Sequence, residues 1–342
     1  MSYNYGGGQD RNKKRKVSEH GDYVDTSKPT AFFQPTGGRS WTVSIAVPGS
    51  ILSLCRRDDQ RTSIINHLAR ALAVFSVDEI VIFDDSDPSQ RPRNVDPAAY
   101  MGDMDPCGYV EHLLNYLEVP PFMRKVLMPI HPNLRGAGLL PSLDIPSHPH
   151  PSEWLPYREG VTTSQSASAK GGTVVDVGGK AHVAIDEDIP PNTRITVQID
   201  DNDEFHAAPV HPDAPAPRAA TTGATSSLAA VFEGCDFEGG YDLSIGTSER
   251  GTPIPNAFPD KKVKDLANFQ HLLIVFGGPR GIEHAAENDP ALQEMGVIRG
   301  KTKELFDHWV NILPGQGSRT IRTDEAVFIG LTGLRKLWDG RV

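Results

Sequence analysis

The chain has 342 residues, 38% of them hydrophobic, and a formal net charge of −10 at neutral pH. That length and apolar content allow a large buried core, with more than one domain or a sizeable insertion. No apolar run is long enough to cross a bilayer, and the opening MSYNYGGGQDRNKKRKVSEHGDY is too polar for a signal peptide. Cys55, Cys107 and Cys235 are scattered without a CxxC pair, which argues against a disulfide framework or a structural zinc site and for an intracellular, reducing setting.

Residues 1–38 lack apolar periodicity and read as a disordered basic tail. Within it, RNKKRK at 11–16 has the composition of a nuclear import signal or an RNA-contacting arm, and equally of a plain solvated tail. The acidic total does not exclude nucleic acid, because phosphate binding depends on local patches. A nuclear or nucleolar location is the expectation that follows.

Order begins near residue 39. Val43–Val47 (VSIAV) reads as a short buried strand stopped by Pro48-Gly49. From Asp59 to Phe75, Ile64, Leu68, Leu72 and Phe75 recur at helical spacing. Glu79–Phe83 (EIVIF) is a second strand, closed by the acidic turn Asp84-Asp85-Ser86-Asp87. Strand, helix, strand at these lengths predicts a βαβ unit and a parallel sheet. Residues 107–128 continue as helix, with Val110, Leu113, Leu114 and Leu117 on one side. His148 and His150 then fall in a Pro/His/Ser-rich connection, flanked by prolines and without a third ligand nearby, and read as loop and not as a metal site.

From Arg158 the texture changes. Gly160–Thr163, Gly172–Val177, His182–Ile185 and Thr193–Ile199 are short β-rich pieces between Gly, Pro and Asp turns, which suggests a small barrel. Val210–Ala229 is Pro/Ala/Thr-rich and reads as flexible. Afterwards the α/β texture resumes at Tyr241–Ile245, Leu272–Phe276 and Trp309–Leu313. The expected organisation is therefore one α/β domain, 39–157 and 229–342, interrupted by a barrel and linker at 158–228. The insert holds five basic against ten acidic residues, a net of −5, so it is no general phosphate-binding surface.

The last helix has Thr323 as a candidate N-cap, Asp324 and Glu325 at the positive end of the helix dipole, and Val327, Leu331, Leu334 and Trp338 along one face. Gly330 and Gly333 are costly in a helix unless something packs closely there, and a helix–helix contact, within the chain or between subunits, is the expectation. Three loops follow three strands: GTSERG (Gly246–Gly251), GGPRGIE (Gly277–Glu283) and LPGQGSRTIRTDEA (Leu313–Ala326). Loops at the carboxyl ends of parallel strands are where α/β proteins bind ligands. None of them is GxGxxG or GxxxxGK[ST], and no GxSxG occurs, which excludes a P-loop and disfavours dinucleotide enzymes and hydrolases.

These three loops, in this order at the end of the chain, resemble the SPOUT class of RNA methyltransferases. They are most similar to its eukaryotic branch, which includes a human centromere- and spindle-associated member. VSIAVPGSIL, EIVIF, FMRKVLMPIHPNLRGAGLLPSLD and REGV in the first half agree, so the likeness runs from about residue 40 onward. It implies an α/β fold whose C-terminal segment forms a trefoil knot around S-adenosylmethionine, with an OB-like barrel insertion, and a homodimer assembled through the knot and last helix. It implies RNA as partner, ribosomal RNA above all, and N3 of a large-subunit uridine as acceptor. A non-catalytic RNA-binding or spindle and centromere scaffold is the competing reading.

Carried over residue by residue, the resemblance has Gly277, Gly278 and Gly281 shape a loop around the cofactor. Asn311, Leu313, Gly315, Gln316 and Gly317 would contact adenine and ribose, and Thr320 and Ile321 would close over the adenine. Arg250 would meet RNA phosphate or the methionine carboxylate, and Glu283 would join it as a catalytic group. From the residues themselves, Arg250 equally suits an ion pair with Asp242 or Glu249, Glu283 a favourable first helical turn, and Arg319 and Arg322 either RNA or solvent.

Overall fold

The computed structural model describes residues 38–341 apart from 93, 151–154, 170, 180–181, 201–204, 211–219, 298 and 340. The basic block at 11–16 lies outside the described residues.

Short runs of β-branched and aromatic residues form the main sheet: β1 (Thr42–Pro48), β2 (Glu79–Phe83), β8 (Thr221–Thr225), β9 (Leu243–Pro253), β10 (His271–Val275) and β11 (His308–Asn311). All pairings are parallel, in the order β11-β9-β10-β1-β2-β8. Both faces are covered, so the inner strands read as continuous apolar runs: Val43, Ile45, Ile80, Ile82, Leu272 and Ile274 are fully buried. Neighbours are added on both sides of β1, first β2 and later β10. The carboxyl end of β1 is therefore a topological switch point, where such sheets open a crevice.

Helix α1 (Asp58–Phe75) covers one face. Its buried stripe is Ile65, Leu68, Ala69 and Leu72, while Ile64 is only half-buried, one position off the stripe. Helix α2 (Pro106–Glu118) starts at Asp105, whose carboxylate accepts from Gly108 N at 2.9 Å. It stops ten residues short of the predicted 107–128, because Pro120 and Pro121 lack amide donors; a short turn, Arg124–Leu127, follows.

The inserted strands β3 (Tyr157–Ser168), β4 (Gly171–Asp176), β5 (Val183–Ile185), β6 (Arg194–Ile199) and β7 (Ala207–Pro209) form a separate antiparallel sheet, order β5-β4-β3-β6-β7. Ala184 N donates to Phe205 O at 2.8 Å and a bridge joins Ala184 to His206, so the sheet nearly closes on itself around Val175, Val183, Ile185 and Val197. The insert ends earlier than predicted. Residues 221–225, read as part of a flexible linker, are strand β8 of the main sheet, paired with β2 from Glu79↔Thr221 to Phe83↔Thr225. His148 is a structural loop residue: its Nε2 lies 2.6 Å from Glu118 O.

Glu118, at the end of α2, also seats the barrel. Its carboxylate takes two hydrogen bonds from the Arg194 guanidinium, at 2.5 and 2.7 Å, while Arg194 Nε donates to Glu159 Oε2 at 2.6 Å. Burial pushes the Glu159 carboxyl up, against the pull of Arg194. Replacing Arg194 by Met removes the guanidinium that bridges the Glu118 and Glu159 carboxylates, and about 3 kcal/mol of stability should be lost in urea unfolding; a loss below about 0.5 kcal/mol would show that the clamp contributes little. Burial also holds the His148 imidazole below its ordinary value. The unfolded chain therefore binds this proton first, and stability present near pH 7 is lost as pH falls through about 6 and below. Thermal unfolding from pH 7 to 5 should show a smaller fall for His148→Gln than for the unaltered chain.

Candidate functional site

The loops leaving β1, β9, β10 and β11 converge at the carboxyl edge of the sheet around a cavity of about 940 Å³. The strands set where each loop starts, and close side-chain to backbone contacts set where it goes.

Strand β9 does more than was predicted. GTSERG is not a loop after the strand but an excursion within it. Against β11, Trp309 pairs with Gly246 and the next residue, Val310, with Thr252, so 247–251 bulge out of the ladder. Such an excess of residues in one strand re-aims its side chains. Gly251 closes it, since a Cβ there would lie 2.6 Å from Val310 Cα. Asn311 holds it from β11, its Nδ2 donating to Glu249 O at 2.8 Å.

The bulge carries Ser248 and Arg250 toward helix α3 (Ile282–Glu287). Ser248 Oγ donates to Glu283 Oε1 at 3.2 Å, and Arg250 Nη1 lies 3.5 Å from the same oxygen. Arg250 thus pairs with Glu283, not with Asp242 or Glu249. The Asp242 carboxylate accepts from the backbone of Gln270 and His271. The Glu283 side chain is 10% exposed and that of Arg250 is 69% exposed. So exposed an ion pair adds at most about 1 kcal/mol, and its consequence is placement of the guanidinium at the cavity.

After β10, Gly277 and Gly278 pass through space with no room for a side chain. A Cβ on Gly277 would lie 2.7 Å from Ile282 N, and one on Gly278 would lie 3.0 Å from Pro48 Cγ. Beneath Gly278, buried Asp85 accepts from Ser50 Oγ at 2.6 Å, and burial raises its carboxyl pKa. Gly281 has φ +80°, the left-handed region, and a Cβ there would lie 2.6 Å from Glu283 Oε2.

The last helix, α4 (Thr323–Leu334), is tied to this loop. Thr323 is not its N-cap: Arg322 precedes the helix, its N donating to Glu325 Oε2 at 3.0 Å, and Thr323 Oγ1 donates to Gly277 O at 2.9 Å. The two helix glycines have partners within the chain. A Cβ on Gly330 would lie 2.8 Å from Phe276 Cε1, and one on Gly333 would lie 2.8 Å from Ile254 Cδ1. Their small size is explained without a second subunit. Asp324 is buried and lies 3.2 Å from His67 Nδ1 of α1. Arg322 is engaged by Glu325 at 2.8 Å, while Arg319 is exposed.

A family model described as "Putative RNA methyltransferase" matches residues 42–334. The chain belongs to this RNA methyltransferase family. A 28S rRNA (uridine-N(3))-methyltransferase of Homo sapiens is 38% identical over 308 residues, covering 87% of this chain and 79% of the human protein. The Drosophila melanogaster protein of the same name is 35% identical over 311 residues, covering 86% of this chain and 62% of its own length. An uncharacterized protein of Haloarcula marismortui is 27% identical over 308 residues, covering 86% and 98%.

Of the residues that the resemblance nominated, this methyltransferase brings Arg250, Gly277, Gly278, Gly281, Glu283, Asn311, Gln316, Thr320 and Ile321 to the lining of one cavity. Leu313, Gly315 and Gly317 sit exposed on the same loop as Gln316 but outside the lining. Gly315 has φ +74° and open space around it, so its demand for glycine comes from the turn. His67, Ser248 and Ile64 also line the cavity without having been nominated. No sequence signal marked them: Ile64 read as part of the apolar stripe of α1, and a lone His or Ser carries none.

Gly281→Ala should be destabilised by more than about 1 kcal/mol in urea unfolding, since it combines a positive φ with a collision at Glu283. Gly300→Ala, which meets nothing within 4 Å, should change by less than about 0.5 kcal/mol. Equal effects at the two positions would mean that the loop relaxes freely.

Proposed function

We propose that this protein methylates N3 of a uridine in large-subunit ribosomal RNA, with S-adenosylmethionine as donor. The observation that carries the reading is that relatives named for that reaction align with most of the chain, while the family model spans the cavity loops. The residues suit the donor. The cavity has the size of a small-molecule site. The glycine segment 277–281 exposes backbone to it, and Ile51, Ile312 and Ile321 give it an apolar lining. Gly277, Gly278, Gly281, Asn311, Gln316, Thr320 and Ile321 would hold the nucleoside, with Leu313, Gly315 and Gly317 forming the outer strap. Bound there, S-adenosylmethionine supplies an electrophilic methyl group already activated on sulfur.

The protein's own part is then positioning, exclusion of water and charge placement. Arg250 offers a guanidinium to the negative charge that builds on the uracil carbonyls as N3 loses its proton. Glu283, anchored by Ser248, holds that guanidinium in place. In the same reading the C-terminal segment is knotted in the SPOUT manner. Supporting this, the chain after β11 comes back to the segment just past β10, where Thr323 Oγ1 donates to Gly277 O and Gly330 lies close against Phe276. The nearly closed insert is an OB-like element, and the enzyme acts as a homodimer through the knot and last helix in the nucleus or nucleolus, guided by the 11–16 block. Because the insert is acidic, RNA contact falls to exposed cations such as Arg319 and to that tail.

Ribosomal RNA from cells lacking the protein should have lost one N3-methyluridine, restored by the unaltered gene; an unchanged modification profile would overturn the reading. Calorimetric titration with S-adenosylmethionine should show binding. Arg250→Ala should bind it while turnover falls on the order of 10²-fold, the range for loss of one charge-stabilising group.

A further inference from the structure

One wall of the cavity, where α1 meets the start of α4, has no task in the scheme above. His67 projects from α1 with its side chain 56% exposed, and its Nδ1 lies 3.2 Å from Asp324 Oδ2, whose side chain is 2% exposed. The second oxygen of that carboxylate, Oδ1, is buried without a hydrogen-bond partner, and Arg322 Nε stands 3.8 Å from it. A buried carboxylate with one oxygen unsatisfied is costly to keep, which marks a place where negative charge is needed. A hydrogen bond from Nδ1–H to Asp324 would select the imidazole tautomer in which Nε2 keeps its lone pair. Ile51, Ile64 and Leu54, the last 63% exposed, line the same cavity beside the polar Gln60 and Ser63, and offer apolar surface to a flat base.

We infer that His67 is the proton acceptor of the reaction, its Nε2 taking the N3 proton of the bound uracil while Asp324 orients the ring. This rests on the proposed N3 methylation. A neutral imide nitrogen is a poor nucleophile, and it becomes a good one as its proton leaves. The N3–H bond breaks and its proton joins Nε2. The electron pair stays on nitrogen, where it forms the new bond to the methyl carbon as the carbon–sulfur bond breaks and its pair remains on sulfur. The imidazolium left behind is offset by Asp324 and returns its proton to water through its exposed edge. Glu283 suits this task less well, because its Oε1 is already occupied by Ser248 and Arg250. The other titratable or charged groups lining the cavity are Cys55 and Asp59 from the α1 side, Arg322 at the start of α4, Glu249 and Arg250 from the β9 bulge, and Arg280 and Glu283 from the segment after β10.

The test uses the full chain, S-adenosylmethionine, and ribosomal RNA from cells lacking the protein. His67→Gln, on an exposed position, should fold, bind S-adenosylhomocysteine within twofold of the unaltered protein, and lose at least about 10²-fold in single-turnover rate. Its residual rate should climb as pH is raised, because ionisation of the imide itself replaces the missing acceptor. Nitrogen NMR of the cofactor-free protein supplies an independent readout: His67 should be the Nδ1–H tautomer, and Asp324→Asn should abolish that preference. A His67→Gln rate within threefold of the unaltered protein, or a loss that does not recover at high pH, overturns the inference. If the unaltered protein itself forms no N3-methyluridine on this RNA, the proposed function fails instead, and the tautomer measurement still decides whether the dyad is set as described.

Discussion

The site depends on one constraint: backbone must pass over backbone at the carboxyl edge of the sheet, with no room for side chains. Gly277, Gly278 and Gly251 stand where a Cβ would meet main-chain or buried atoms. Hydrogen bonds from side chains on other segments then fix the crossings. Thr323 holds the carbonyl of Gly277, Asn311 that of Glu249, and Thr247 that of Val275. Each stitch joins parts of the chain far apart in sequence. The carbonyl of Val275 is buried and that of Gly277 partly so, and left unpaired they would carry a cost. The cavity is the space these crossings enclose.

The same economy explains where charge sits. Glu283 and Asp324 are the two well-buried carboxylates of the lining, and both lie in the first turn of a helix, where the backbone dipole favours them. Glu283 is satisfied by neighbours in its own wall. Asp324 is only half satisfied. Within one cavity the fold therefore holds one carboxylate that organises protein and one with bonding capacity to spare.

Much of the scaffold was legible because its signals are local. VSIAV, EIVIF and LLIVF are too short and too apolar to be anything but buried strands in a sheet covered on both faces, whereas the apolar pattern carried the α2 reading past Pro120-Pro121, where the helix ends. Strand β8 was not legible, because TTGAT has no apolar content of its own and is a strand only through pairing with β2. The bulge in β9 was hidden for the same reason: its register is set by β11, over fifty residues later. The site divides along the same line. Its glycines announced themselves, and the family resemblance, not spacing, said what they cradle. His67 stayed invisible, because its meaning lies in a contact with Asp324 across 257 positions.

The order of the sheet has a consequence for how the molecule is made. Central strand β1 is complete by Pro48, and β2 can dock on one side soon afterwards. Its other neighbour is β10, with Thr42 and His271 in register 229 residues apart. During synthesis the middle of the protein therefore spends most of translation as an unguarded edge of Val, Ile and Ala. The whole barrel must emerge before that edge is covered. An apolar parallel edge left open so long is an invitation to mispairing, and closing it carries a large loop entropy. Nascent chains of this protein should accordingly lean on chaperones until the last quarter leaves the ribosome.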